Sequence, residues 1–296
     1  MKIYDCFMYY DEDLVADLRF NILNKYITEF IVVESKFTHS GEKRELLFDI
    51  NKYSKFKNKI NYIVLENEPE NLETINDKDT IDKKNSKYIM NALKRENFQR
   101  NAIVRGLSDA SAEDLILISD VDEIPNLDNF KFNMIKNEII LFKQNFYYYK
   151  FNLKIDDILW YGTKACKFKR LKSPQWLRNI KDRKYPIWRL DALFSDKKYN
   201  NILFVENGGW HFSNMKTPED IEKKMRTYLH HREYDVKPLG TEKIKEIIKN
   251  KKSIYNLRAD MKTEKFDGTQ SLKPTDGSEL PDFIKSNKQK YGSWLE

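Results

Sequence analysis

Leu115-Ile116-Leu117-Ile118-Ser119-Asp120-Val121-Asp122-Glu123-Ile124-Pro125 is the stretch on which the fold class turns. Four consecutive apolar residues suit a strand buried on both faces, the kind found inside parallel sheets. Three carboxylates then crowd the strand's end, and Pro125 stops further pairing. In open α/β sheets, ligands bind outside the carboxyl ends of the strands. Carboxylates packed there repel one another unless a cation sits among them, and hard oxygen donors select Mg or Mn. Such an ion bridges the phosphates of a nucleoside diphosphate and neutralises charge on the leaving group. On this reading Asp120 and Asp122 hold the metal and the diphosphate, with Glu123 nearby. The competing reading is a polar loop with an Asx turn or helix cap before Leu127.

Upstream, Lys2 to Tyr9 reads as a strand, Asp11 to Tyr26 as a helix with Leu14, Leu18, Ile22 and Leu23 on one face, and Glu29 to Glu34 and Ile60 to Leu65 as buried strands. A polar stretch from Glu66 to Lys84 reads as a surface loop, and Ser86 to Leu107 as a long helix. Strands alternating with helices predict an α/β fold: a mixed, mostly parallel sheet with helices on both faces. On the long helix Ile89, Leu93, Ile103, Val104 and Leu107 share a face, and Glu96 and Arg100 interrupt it, with Gln99 at its edge. The pair is either a buried structural ion pair or points into a site beside the sheet. Arg100 has the planar fork suited to a phosphate or a sugar hydroxyl.

Downstream, Glu138 to Lys154, Thr163 to Leu171 and Asn201 to Val205 read as strands. Glu206-Asn207-Gly208-Gly209-Trp210-His211-Phe212-Ser213 follows. Two glycines let the backbone approach a ligand. Trp210 offers a stacking face, and His211 is either a third metal ligand, a phosphate contact or a structural histidine. Glu206, at a strand end, is a candidate general base, with a plain surface carboxylate as the alternative. Thr217-Pro218-Glu219-Asp220 opens a helix with a capping box and Pro at the first position. Its apolar face is Ile221, Met225, Tyr228 and Leu229. His230 and His231 read as surface residues compensating the dipole at that helix's end. From Gly240 the chain reads as helical and basic, so the expected organisation is a catalytic domain over 1–235 and a basic helical extension over 236–296 packed on it.

Lys and Arg exceed Asp and Glu by 53 − 46, or +7, which suits a nucleotide or an anionic membrane face. The charge is scattered, without the Lys/Arg stripe of a nucleic-acid binder. Aromatic residues are 14% of the chain, suited to sugar faces or reflecting a composition bias. Cys6 and Cys166 make no disulfide framework. No N-x-[ST] acceptor, signal peptide or apolar membrane-length stretch occurs. The expected setting is the cytoplasm, with peripheral contact to an anionic membrane.

These motifs together resemble glycosyltransferase family 17, the family of the bisecting β-1,4-N-acetylglucosaminyltransferase. The resemblance rests on Tyr4-Asp5-Cys6-Phe7, Ile31-Val32-Val33-Glu34-Ser35-Lys36-Phe37-Thr38 with Ser40-Gly41, Arg95-Glu96-Asn97-Phe98-Gln99-Arg100, the acidic stretch, Gly209-Trp210-His211-Phe212-Ser213 and Phe266-Asp267-Gly268-Thr269. It implies a GT-A-type fold, an inverting reaction, a divalent metal (Mn or Mg) and a donor like UDP-N-acetylglucosamine. In that frame Glu34 and Ser35 face the nucleotide, and Glu96, Gln99, Arg100, Asp120, Trp210 and His211 bind the donor. Asp120, Asp122 and His211 hold the metal, and Glu206 or Asp267 takes the acceptor's proton. The animal enzymes carry a membrane anchor that this sequence lacks, so the expected acceptor is a microbial or viral glycan or a lipid-linked saccharide. Two rival expectations are a phosphotransferase or phosphatase with Asp120 as nucleophile, and a basic nucleic-acid-binding module.

Overall fold

The computed structural model describes residues 1–128, 130–136, 138–186, 188, 191, 194–228, 231–256 and 270–296, without the side chains of 157, 232, 233 and 236. Asp267 with its Phe-Asp-Gly-Thr segment, Leu229 and His230 lie outside the described residues.

The apolar runs form strands because alternate side chains each find a core on their own side of the sheet. Strands β1 (Ile3–Met8), β2 (Glu29–Ser35), β3 (Ile60–Leu65) and β4 (Leu115–Asp120) run parallel in the order β4-β1-β2-β3. Phe7, Phe30, Val32, Leu115 and Leu117 pack into one core with Val15, Leu18 and Leu23 of helix α1 (Asp13–Leu23). Cys6, Ile31, Val33, Ile116 and Ile118 face the other way, onto Ile103, Leu107 and Leu177. The sheet continues through β9 (Lys164–Lys167), antiparallel to both neighbours, then β6 (Ile139–Phe142) and β10 (Ile202–Val205). The expected mixed, mostly parallel α/β sheet is present.

A second, five-stranded sheet is the part the sequence reading lacks. Its order is β12-β8-β7-β11-β5, where β5 is Glu123–Pro125, β7 Gln144–Tyr148, β8 Leu153–Trp160, β11 Gly209–Ser213 and β12 Lys273–Pro274. The expected strand 138–154 is therefore three. The chain changes sheets at Lys143, whose N–H and C=O bond Val205 and Gly208, and turns over at Tyr149, with φ +64°.

Helix α2 (Ile81–Asn101) begins earlier than expected because Thr80 caps it, and it tightens into a 3-10 turn over Ala102–Gly106. The expected apolar face is only partly buried: Ile103 and Leu107 are in the core, whereas Ile89 and Val104 are exposed. Asn91, Ala92, Gln99 and Arg100 take the buried positions instead, because the helix covers a polar site and not only a core.

After the short α3 (Pro174–Arg178), helix α4 (Pro218–Thr227) starts on Thr217 as expected, with the Thr217 hydroxyl accepting from Asp220 N–H at 3.2 Å. His231 is not a surface residue at that helix's end. It is buried at the start of α5 (His231–Val236), where its Nδ1 lies 2.9 Å from Tyr228 O. Helix α6 (Thr241–Lys249) buries Ile244 and Ile247 with Ile221 and Met225 of α4, against Phe146 and Tyr148 of the second sheet. Residues 270–296 return to the front of the molecule: β12 pairs with β8, helices α7 (Asp282–Ser286) and α8 (Lys288–Tyr291) follow, and Leu280, Ile284 and Tyr291 join the main core.

Candidate functional site

The acidic stretch is the corner between the two sheets. The chain leaves the first sheet at Asp120 and enters the second at Glu123, so Val121 and Asp122 form the turn. Strand β11 pairs antiparallel with β5, putting His211 opposite Glu123, and Phe212 N–H bonds Asp122 O at 2.8 Å. Gly209 permits that pairing: its φ is +129°, and a Cβ would lie 2.1 Å from Ile124 O.

Below the corner, Arg19 of α1 is fully buried with Asp5 of β1. Its Nε and Nη2 donate to the Asp5 carboxylate at 2.7 and 2.5 Å. Nη1 donates to the carbonyls of Asp120, Val121 and Glu123 at 3.2, 3.3 and 2.7 Å, and Nη2 to Ser119 Oγ at 2.9 Å. A buried guanidinium persists only when such partners replace its water, so Arg19 fixes the backbone that carries the acids. Sequence reading missed it, although the signals were there: a lone Asp in an apolar strand, and an Arg four residues from both Val15 and Leu23 on a buried helix stripe.

Glu123 is also fully buried and structural. It accepts from Arg178 Nη1 and Nη2 at 2.8 and 2.6 Å, from Trp160 Nε1 at 2.5 Å and from Asp120 N–H at 2.7 Å. Gly162 is small because a Cβ there would meet the Glu123 carboxyl at 2.5 Å. Arg178 comes from α3, which Pro174 and the Ser173 cap initiate. Lys164 fixes its far end, donating to Arg178 O and Ile180 O at 2.6 Å. Burial, with the Arg178 charge beside it, pulls the Lys164 amine down to about 7. Neither Arg178 nor Trp160 carried a motif that sequence reading used.

Above the corner lies a cavity of about 450 Å³. Asp120 reaches it between two guanidiniums, Arg100 at 3.1 Å and Arg178 at 2.7 Å. Burial opposes its ionisation, but the two arginines outweigh that and hold its carboxyl far below the ordinary range. Asp122 faces His211, Oδ2 to Nε2 3.4 Å. Burial pushes its carboxyl up, and the interaction with His211 more than reverses this, leaving it lowered. His211 Nδ1 is buried with no hydrogen-bond partner among the described residues, and its ring packs on Phe146 at 4.2 Å and Trp160 at 5.0 Å.

Arg100 satisfies both readings of its helix face. It pairs with Glu96 at 2.8 Å and lines the cavity together with Glu96 and Gln99. Gln99 bonds Val33 O at 3.0 Å and His39 Nε2 at 3.1 Å, and desolvation holds His39 below its ordinary pKa.

The other sequence-derived residues fall elsewhere. Glu34 is fully buried and does not line the cavity; the N–H groups of Leu47 and Phe48, the Tyr62 hydroxyl and Arg44 consume its oxygens. Ser35 Oγ accepts from Phe37 N–H at 3.1 Å and also stays outside the lining. The nearby cavity residues are instead Thr38, His39 and Arg44. Trp210 packs in the main core with its N–H on Glu279 O at 2.6 Å, and the indole facing the cavity is Trp160. Glu206 is 68% exposed, paired with Lys143 and outside the cavity.

The described residues hold no helix long and apolar enough to cross a membrane. A mixed α/β sheet with a polar cleft at one strand end is an architecture for group-transfer enzymes, and the comparison with known families makes the class definite: this chain is a glycosyltransferase. It belongs to glycosyltransferase family 17, which it matches over residues 1–295. No curated protein matches it individually. Family membership selects sugar transfer over the phosphotransferase and nucleic-acid readings.

Proposed function

We propose that the enzyme is an inverting, metal-dependent glycosyltransferase of GT-A type. It takes a UDP-sugar, N-acetylglucosamine or a related sugar, and forms a β linkage to a glycan or lipid-linked acceptor. The carrying observation is the corner itself: two carboxylates, an imidazole and the Arg100 guanidinium converge at the carboxyl end of β4 on one cavity wall, and Arg178 braces Asp120 from outside that lining. Arg100 suits the diphosphate, and Trp160, Tyr10 and Phe37 offer faces for base or sugar.

For a metal, the donor chemistry fits an incomplete shell. Asp122 offers an oxygen and His211 a nitrogen toward the cavity, and Asp120 has 38% of its side chain accessible. Among the described residues no three acidic, His or Cys side chains form a cage by themselves. Mn or Mg would be held by Asp122, His211 and Asp120 with phosphate oxygens completing the shell, and there it would supply charge neutralisation for the leaving diphosphate. The protein's own residues bind the phosphates through Arg100 and hold the corner through Arg19, Arg178 and Glu123. The basic balance of +7 suits work beside an anionic membrane face in the cytoplasm.

A screen of nucleotide sugars with Mn, read as released nucleoside diphosphate, tests this. UDP release from UDP-N-acetylglucosamine or a close relative, lost on chelation, is the expected result. Equal turnover in EDTA would remove the metal from the proposal, and release from no UDP-sugar would remove the donor assignment.

A further inference from the structure

A second cavity, of about 330 Å³, adjoins the first across Asp122. The two share Glu12, Asp122, Asn214 and Lys224. If the first holds a nucleotide sugar with its diphosphate at Asp122, the anomeric carbon lies at this junction, and a nucleophile must approach from the second cavity. We infer that the second cavity binds the acceptor saccharide and that Glu12 is the catalytic base at its mouth. This rests on the inverting sugar-transfer reading above and adds the acceptor site and the base to it.

Pairing singles out Glu12 among the acids lining the main cavity. Glu96 is bound to Arg100, Asp120 to Arg100 and Arg178, and Asp122 to His211. A permanent guanidinium partner lowers a carboxylate's basicity. Among the described residues Glu12 makes no ion pair at contact distance; the charge that reaches it is that of Lys216, which is itself paired with Asp11. Its Oε2 accepts the N–H groups of Tyr10 and Asp11 at 3.0 and 3.1 Å, which orient the group and, among the described residues, leave Oε1 for a substrate proton. The acceptor hydroxyl oxygen attacks the anomeric carbon with its lone pair, and its proton passes to Glu12 Oε1. The bond from that carbon to the diphosphate oxygen breaks, its electron pair leaving with the nucleoside diphosphate.

The walls set the acceptor's class. The Trp294 indole, Leu47 and Val15 give apolar surface for the C–H face of a ring, beside polar groups for its hydroxyls. Five carboxylate residues line it against three lysines. That balance disfavours sialylated or phosphorylated termini and favours an uncharged sugar.

The test uses the full chain with Mn, measuring UDP binding, and transfer to a panel of neutral methyl glycosides beside their phosphorylated counterparts. Glu12→Gln keeps an acceptor for the two N–H groups, so its transfer should fall by about 10²–10⁴ with UDP affinity nearly unchanged. Leu47 is 44% exposed, so Leu47→Trp should fold and narrow the cavity, raising acceptor KM at least about tenfold at constant UDP affinity. The inference is overturned by near-wild-type transfer in Glu12→Gln, above all if Asp267→Asn abolishes it. Unchanged acceptor KM in Leu47→Trp, or preference for the phosphorylated glycosides, also overturns it. Wild-type protein that binds no UDP overturns the donor reading instead.

Discussion

Asp122 and Asp120 differ by two positions and have different work. Two arginines neutralise Asp120, whereas among the described residues Asp122 is paired with His211, with the Lys224 charge farther off, and is the freer to meet a ligand. Asp122→Asn should therefore cut donor turnover at least about 10²-fold, the scale of losing a positioned charge at developing transition-state charge, with a small loss of stability. The pH dependence has a definite sign. The Asp122 carboxyl is lowered in the folded state, so its stabilisation is present above the ordinary carboxylate pKa of about 4. It is lost as pH falls through the folded value. Melting curves of wild type and Asp122→Asn should separate slightly at pH 7 and converge in acid; a gap that widens in acid contradicts the assignment. Asp120, Asp122 and His211 could be found in the sequence because acids after an apolar run and a His after paired glycines are local patterns. Arg178 and Trp160 were not found, since each has meaning only through Glu123, 55 and 37 residues away in the chain.

At the level of elements, the site depends on β11 lying against β5, and two glycines offer a matched test. Gly209 has positive φ and a Cβ there would strike backbone; Gly240 also has positive φ but nothing within 4 Å. Gly240→Ala should cost about 1–3 kcal/mol, because Gly240 has φ +77° and ψ 157°, a backbone region essentially open to glycine alone. Gly209→Ala should cost more and also weaken UDP binding, because relief of the clash moves His211 from Asp122. Chemical denaturation and a UDP titration measure both. Equal destabilisation would mean that the β5–β11 pairing yields easily. Strands β1 to β4 were readable because each is one unbroken apolar run. Strand β5 has three residues and the split at Lys143 follows from sheet exchange, so neither leaves a periodicity to detect.

For the molecule as a whole, the proposed metal shell at the acidic corner is completed by phosphate oxygens of the donor. Without three protein donors gathered among the described residues, Mn alone should raise the melting temperature little. Mn with UDP should raise it far more, since saturation at ~100 times Kd contributes about 2.7 kcal/mol. Equal shifts with and without UDP in a thermal scan would argue against a shared metal–diphosphate site. The return of residues 270–296, which brings Trp294 to the second cavity, belongs to this scale too.

The sequence by itself determined the α/β class, the parallel strands, the acidic corner at the end of β4, the cap of α4 and the family. These are properties of contiguous residues, where apolar runs, turn formers and short motifs act locally. Tertiary structure alone decided that Arg19 and Asp5 support that corner and that Glu123 is a strut and not a ligand. It also decided that Trp160 rather than Trp210 faces the cavity, that Glu34 and Glu206 stand outside it, and that Glu12 sits between two cavities. Each of these depends on which charge neutralises which and which face is desolvated. Those are contacts between segments far apart in the chain, and they exist only once the two sheets have met.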